Sequence, residues 1–234
     1  MEDVRPEYKK KSIRSYVVRS GRMTDGQKLG FHDHWPNYGL SLHQGLLNFQ
    51  SEFGRNAPQV LEIGFGMGGS LLSMIQLEPD KDFVGIEVHA PGVGRLISDA
   101  GKLSLQNVRV YMADAIDVIE DCIPDASIHR VQVYFPDPWH KTRHHKRRIV
   151  QRDFVQNIRT KLAIGGTFHM ATDWQHYAEH MMDVMTQADG FENTSSEETT
   201  GYVPRPDYRP ITKFEVRGQK LGHGVWDLIF KRVS

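Results

Sequence analysis

A short apolar strand that runs straight into a cluster of glycines constrains this chain more than any other feature. Residues 59–69 read Gln-Val-Leu-Glu-Ile-Gly-Phe-Gly-Met-Gly-Gly. Val60, Leu61 and Ile63 have the aliphatic, β-branched character of a strand buried on both faces. Gly64, Gly66, Gly68 and Gly69 follow, and then Leu71, Leu72, Met74, Ile75 and Leu77 recur at helical spacing. Strand, glycine turn and helix form the opening βα unit of an open α/β sheet. There the missing Cβ atoms let the backbone approach a ligand, and the helix N-terminus presents N–H groups to it.

The turn admits two cofactors. Gly64, Gly66 and Gly69 fit G-x-G-x-x-G, and Glu87 lies where a dinucleotide fold carries its ribose-binding acid. Glu62 inside the strand, in Glu-x-Gly-x-Gly order, instead resembles the first motif of S-adenosylmethionine-dependent methyltransferases. The later strand ends favour the second reading. Asp82–Glu87 reads as the next strand, closed by Glu87, whose carboxylate can accept ribose hydroxyls. A helix is expected over Val93–Leu103 and a strand over Val108–Met112, followed by Asp114. That acid suits an adenine amino group or, equally, a cap for a helix over Ala115–Asp121.

With 234 residues, 39% of them hydrophobic, the chain is long enough for one well-buried α/β domain over residues 1–234. No apolar run approaches membrane-spanning length, and the N-terminus lacks a signal-peptide core, so a cytoplasmic protein without membrane association is expected. A single cysteine, Cys122, excludes an internal disulfide or a multi-cysteine zinc site. The formal net charge is zero, yet the cations are grouped. Lys9, Lys10, Lys11, Arg14, Arg19 and Arg22 lie in one acid-free stretch, and Lys141, Arg143, Lys146, Arg147, Arg148 and Arg152 in another. Such grouping points to a polyanionic partner.

Residues 1–55 read as a basic arm and a cover ahead of the sheet, ending in a helix near Leu42–Phe53. His32 and His34 have no third ligand at suitable spacing, and no metal is expected. Residues 188–210, with several glutamates and three prolines, read as a loop.

A strand over Ile128–Phe135 ends in Phe-Pro-Asp-Pro-Trp. Two prolines fix φ on either side of Asp137 and remove two N–H groups, giving a stiff loop at the edge where α/β sheets bind ligands. Cations interleaved with His140, His144 and His145 disfavour a divalent ion. Beside Trp139 they suit phosphate contact and base stacking.

Phe135–Trp139 followed by Lys141, Arg143-His144 and Lys146-Arg147-Arg148 resembles the signature of the bacterial tRNA (guanine-N7)-methyltransferases. The resemblance continues through Gly165-Gly166, Ala171-Thr172-Asp173-Trp174, Thr212-Lys213-Phe214-Glu215-x-Arg217-Gly218 and a closing strand over 224–231. The leader Ile13-Arg14-Ser15-Tyr16 with Gly21-Arg22 is similar too. Membership implies a Rossmann-like class I methyltransferase fold: α/β, seven strands, mostly parallel with an antiparallel last hairpin, helices on both faces. It implies transfer of a methyl group from S-adenosylmethionine to N7 of the variable-loop guanine, position 46, of tRNA. By motif, Glu62, Gly64, Glu87, Asp114 and Asp137 would bind the cofactor, with Asp137 also the active-site acid. Lys141, Asp173, Thr212, Lys213, Phe214 and Glu215 would bind the substrate nucleotide, and Arg143, His144, His145, Lys146, Arg147 and Arg148 would grip RNA. Asp173 can also cap the helix that follows it.

Two other functions are compatible with parts of the chain. A nicotinamide-dependent dehydrogenase would use the glycine turn, but the sequence has no Tyr-x-x-x-Lys pair and hydride transfer has no use for the 141–148 block. A non-catalytic RNA-binding module would use the cations and leave Glu62, Glu87, Asp114 and Asp137 without a task.

Overall fold

The computed structural model describes residues 14–17, 23–197, 199–212, 215–216 and 224–234. Lys9, Lys10, Lys11, Arg19 and Arg22 of the leader, and Lys213, Phe214, Arg217 and Gly218, lie outside the described residues. The chain forms two compact units that part between Pro124 and Asp125, residues 14–16 belonging with the second.

In the first unit, α1 (Asp25–Tyr38), β1 (Gly39–Leu40), a 3-10 turn (Leu42–Gln44) and α2 (Phe49–Phe53) precede the strand of the glycine motif. Then β2 (Gln59–Ile63), α3 (Gly69–Leu77), β3 (Asp82–Ile86), α4 (Ala90–Lys102), β4 (Val108–Tyr111) and α5 (Ala115–Asp121) alternate. The strands lie in the order β1-β4-β3-β2, all parallel. Every residue of β2 and β3 is buried, which explains their nearly unbroken apolar character.

Two elements differ from the sequence reading. The helix expected near Leu42–Phe53 is split, because Gly45 turns out of the 3-10 segment at φ 70° and Asn48 starts α2 by accepting the Ser51 N–H. Residues 25–38, read only as cover, form the 14-residue helix α1. Its start is a capping box: Thr24 Oγ1 accepts the Gln27 N–H, and Gln27 Oε1 accepts the Thr24 N–H. Gly26, Gly30 and Pro36 disguise it, and Gly30 has a packing reason. A Cβ there would lie 2.7 Å from the Ser98 Cβ of α4, while one on Gly94 would lie 2.8 Å from the Gln27 carbonyl oxygen. Glycine on both helices lets their backbones approach closely.

The second unit holds β5 (Ile128–Tyr134), a 3-10 segment (Thr142–Arg147), α6 (Arg152–Lys161), β6 (Leu162–Thr172), α7 (Gln175–Thr186), β7 (Phe191–Asn193) and β8 (Trp226–Arg232). Their order is β5-β6-β8-β7, β5 and β6 parallel, β8 antiparallel to both neighbours. Among the described residues the number of strands is one more than the expected seven, the two-residue β1 being additional. The stretch 188–210 is more regular than a loop. It contains β7, a bridge from Val203 to Asp227, and a hydrogen bond from Ser195 Oγ to the Tyr202 carbonyl at 2.7 Å.

Candidate active site

The glycine turn of the first unit is shaped by backbone dihedrals. Gly64, Gly66 and Gly68 have φ of 75°, 57° and 75°, where a side chain is strained. A Cβ on Gly64 or Gly66 would meet nothing within 4 Å, so the turn borders open space. Gly92, in the first turn of α4, lies against it from behind: a Cβ there would fall 1.9 Å from the Gly66 carbonyl oxygen. The α3 N-terminus at Gly68 has no side-chain cap.

Because β2, β3 and β4 are parallel neighbours, their carboxyl ends lie along one edge. Glu62 is buried within β2, Glu87 follows β3, and Asp114 follows β4. Glu87 Oε2 accepts the Gly66 N–H at 2.7 Å, and Oε1 accepts the N–H groups of Val88 and His89 at 2.7 and 2.9 Å. Of about four lone-pair directions on a carboxylate, three are therefore directed to backbone, leaving one for a further donor. Glu87 is also what fixes the height of the glycine turn. Asp114 Oδ1 caps α5 through the Ile116 N–H at 3.0 Å, the capping reading of that acid.

In the second unit, the loop after β5 is bent at both ends. Phe135 and Trp139 have φ of 50° and 46°, the left-handed region for non-glycine residues, on either side of Pro136-Asp137-Pro138. Asp137 points to solvent. Arg148 is 4% exposed and donates from Nε to the Pro138 carbonyl at 2.9 Å, its guanidinium over the Tyr177 ring. Burial lowers the Arg148 pKa and raises that of Tyr177. Arg148 braces the loop from within.

Trp139 is engaged as well. The Arg147 guanidinium stacks on its ring at 3.9 Å, and its indole N–H donates to the Ser15 carbonyl at 3.0 Å. Arg147 donates to the carbonyls of Arg14 and Tyr16 at 2.9 and 3.1 Å. Trp139 and Arg147 thus seat residues 14–16. Lys141, Arg143 and Lys146 are the cations of the block exposed to solvent, with His144 and His145 half-buried. Desolvation, then the charges of Arg143, Arg147, Lys141 and Lys146, lower the His144 pKa. Opposite the loop, Asp173 is half-buried and has no hydrogen-bond or ion-pair partner among the described residues; the N-cap of α7 is Trp174. The ring of Trp174 meets His140 edge-on at 4.3 Å.

Thr212 and Glu215 form a reciprocal cap: Glu215 Oε2 accepts the Thr212 N–H at 2.8 Å, and Thr212 Oγ1 accepts the Glu215 N–H at 3.1 Å. Glu215 is 2% exposed and bidentate to Arg209. Sequence reading missed the buried partners here, Arg209, Asp227 and His169. The signal available was a histidine and an aspartate interrupting the apolar strands Leu162–Thr172 and Trp226–Arg232. Among the described residues no group of His, Cys, Asp or Glu converges for a metal ion, and no helix is long and apolar enough to cross a membrane.

A family model described as "Putative methyltransferase" matches residues 56–228. A tRNA (guanine-N(7)-)-methyltransferase of Saccharophagus degradans is 62% identical over 229 residues, 98% of this chain and 99% of that protein. One from Marinobacter nauticus is 54% identical over 233 residues, covering 100% of this chain and 97% of the relative. Among solved structures, the 16S rRNA methyltransferase KamB aligns with a TM-score of 0.56 at 13% identity, over 95% of this chain and 99% of that one. The aminoglycoside resistance methyltransferase NpmB1 aligns with a TM-score of 0.53 at 18% identity, over 83% and 94%. At such identities the likeness concerns the fold, which is the Rossmann-like fold of class I methyltransferases.

Proposed function

Because the chain belongs to the tRNA (guanine-N(7)-)-methyltransferase family, we propose that it methylates N7 of a guanine in tRNA, the variable-loop position 46, using S-adenosylmethionine. The observation that carries the reading is the series of acids along one edge of three parallel neighbours, Glu62, Glu87 and Asp114, around a glycine turn that borders open space. We read the whole chain as one methyltransferase acting in the cytoplasm, where its tRNA substrate would be met.

The residues present suit the cofactor. Gly64 and Gly66 leave room for it, Glu87 retains one acceptor direction for a ribose hydroxyl, and Asp114 places a carboxylate at the end of the neighbouring strand. When bound, S-adenosylmethionine supplies an activated methyl group, so the protein's task is alignment. Guanine N7 carries an in-plane lone pair and no proton, and nothing has to remove one. Asp137 accepts a hydrogen bond from a guanine N–H and offsets the positive charge that the ring gains. Asp173, without a partner among the described residues, provides a second acceptor for the nucleotide. Lys141, Arg143 and Lys146 meet phosphates, and Arg147 and Arg148 act through the loop and the 14–16 segment that they hold.

Incubation of bulk tRNA with the protein and methyl-labelled S-adenosylmethionine, followed by mapping of the labelled nucleotide, tests the reading. Label in 7-methylguanosine at the variable loop is the expected result. Label on another base or position would replace it.

A further inference from the structure

The most elaborate polar cluster among the described residues lies around Arg209, which no motif singled out. Arg209 is 1% exposed. Its Nε and Nη2 donate to Asp227 Oδ1 and Oδ2, both at 2.7 Å, and its Nη1 and Nη2 donate to Glu215 Oε2 and Oε1 at 2.7 and 2.9 Å. Four of the five guanidinium N–H groups are thus committed to two carboxylates at once, a fork that no other side chain provides. His169 Nε2 donates to Asp227 Oδ1 at 2.7 Å, because that carboxylate can only accept. His169 Nδ1, with one lone pair, then accepts from the Tyr208 hydroxyl at 2.9 Å, while the Tyr134 hydroxyl, 2.8 Å from the same nitrogen, donates to Gln132 Oε1 at 3.2 Å. Asp227 pairs with Ala171 across β6 and β8, so His169 is its diagonal neighbour, two residues along the same face.

Arg209 faces Asp227 and Glu215, and the buried Arg130 lies 4.0 Å over the Tyr208 ring. Burial lowers the His169 pKa, and the hydrogen bond to Asp227 opposes that shift without reversing it.

Direct nucleotide binding by Glu215 fits this geometry poorly. Its oxygens already accept both Arg209 Nη groups and the Thr212 N–H, and the residue is sealed from solvent. We propose that Arg209 is a positioning residue for the capped pair Thr212 and Glu215, fixing it to β8 through Asp227 and to β6 through His169. Glu215 belongs to the anchor, and Thr212 is the member of the pair left half-exposed to meet the nucleotide. The inference rests on the tRNA-methylating function proposed above.

The test is Arg209→Lys, which keeps the charge but cannot span both carboxylates. Steady-state methylation of tRNA is measured well below the variant's melting temperature, alongside calorimetric titration with S-adenosylmethionine. The expected result is a KM for tRNA raised tenfold or more with cofactor affinity within about twofold of wild type. Should the Lys variant fail to fold, Glu215→Gln keeps an acceptor for the Thr212 N–H and removes the charge pair, and its KM for tRNA is expected to rise at least threefold. A folded variant with a lowered melting temperature but unchanged KM and kcat overturns the positioning role and leaves Arg209 purely structural. A wild-type protein that transfers no methyl group to tRNA overturns the underlying function, and the inference with it.

Discussion

The Arg147 guanidinium lies 3.9 Å over the Trp139 ring while donating to the Arg14 and Tyr16 carbonyls, so one side chain both covers the indole and holds the segment beside it. Arg147→Ala removes two charged hydrogen bonds and the stacking on the indole, with an expected stability loss of about 2 kcal/mol. Cleavage at Arg14 by trypsin should also accelerate. Timed proteolysis with mass spectrometry reads this directly; an unchanged cleavage rate would mean that residues 14–16 are held elsewhere.

The exposed cations are expected to act differently from the buried ones. Arg143→Ala combined with Lys146→Ala should reduce the slope of log affinity for tRNA against log salt by about one unit for each phosphate no longer neutralised, with little change in melting temperature. Arg148→Ala should do the reverse, lowering the melting temperature and leaving the slope nearly intact. Filter binding over a salt series and thermal melts separate the two.

Gly92→Ala introduces a methyl group 1.9 Å from the Gly66 carbonyl oxygen, a backbone atom that cannot swing aside. The glycine turn must move, and affinity for S-adenosylmethionine should fall tenfold or more, well beyond what an ordinary Gly→Ala change in a first helical turn produces. Calorimetry checks it. Gly26→Ala, whose Cβ would meet nothing within 4 Å, is the control that should bind normally.

Asp137→Ala should lower the single-turnover methylation rate by about a hundredfold, the scale of removing one electrostatic partner from a developing charge. Cofactor affinity should change far less. A fully active variant would exclude Asp137 from the reaction.

His169 gives a pH signature. Burial holds its pKa below the ordinary value, so the unfolded chain takes up the proton first as pH falls. Its contribution to stability is complete above about pH 6.5, the ordinary histidine value, and is lost progressively as the pH falls below it. Denaturant midpoints across that range should drop less steeply in His169→Gln than in the wild type. Identical slopes would show that the imidazole is already protonated in the folded protein.

Local patterns were the legible part of this molecule. Alternating apolar runs and glycines located β2 to β5, and Ala115–Asp121 agrees to the residue. Paired prolines marked the Asp137 loop. What escaped depends on distant partners. Helix α1 is stabilised by packing on α4, which makes its glycines assets rather than breakers. Arg148 reads as one more member of a basic run, and only tertiary structure turns it inward, onto the Pro138 carbonyl. Glu215 and Asp227 meet on Arg209, and His169 reaches Asp227 across 58 residues of sequence, a separation that no local pattern spans.

From Phe135 to Trp139 the backbone has almost no choices left. Prolines fix two φ angles, and left-handed dihedrals at both ends hold two more at a cost of about 1 kcal/mol each. Asp137 precedes Pro138 and is itself confined to extended backbone. In the proposed role its carboxylate would be presented without a conformational search, and the barrier to methyl transfer should then be almost wholly enthalpic. Replacing Pro136 or Pro138 with Gly would restore that search. An Eyring plot of single-turnover rates should then show a more negative activation entropy, while the activation enthalpy stays close to that of the wild type.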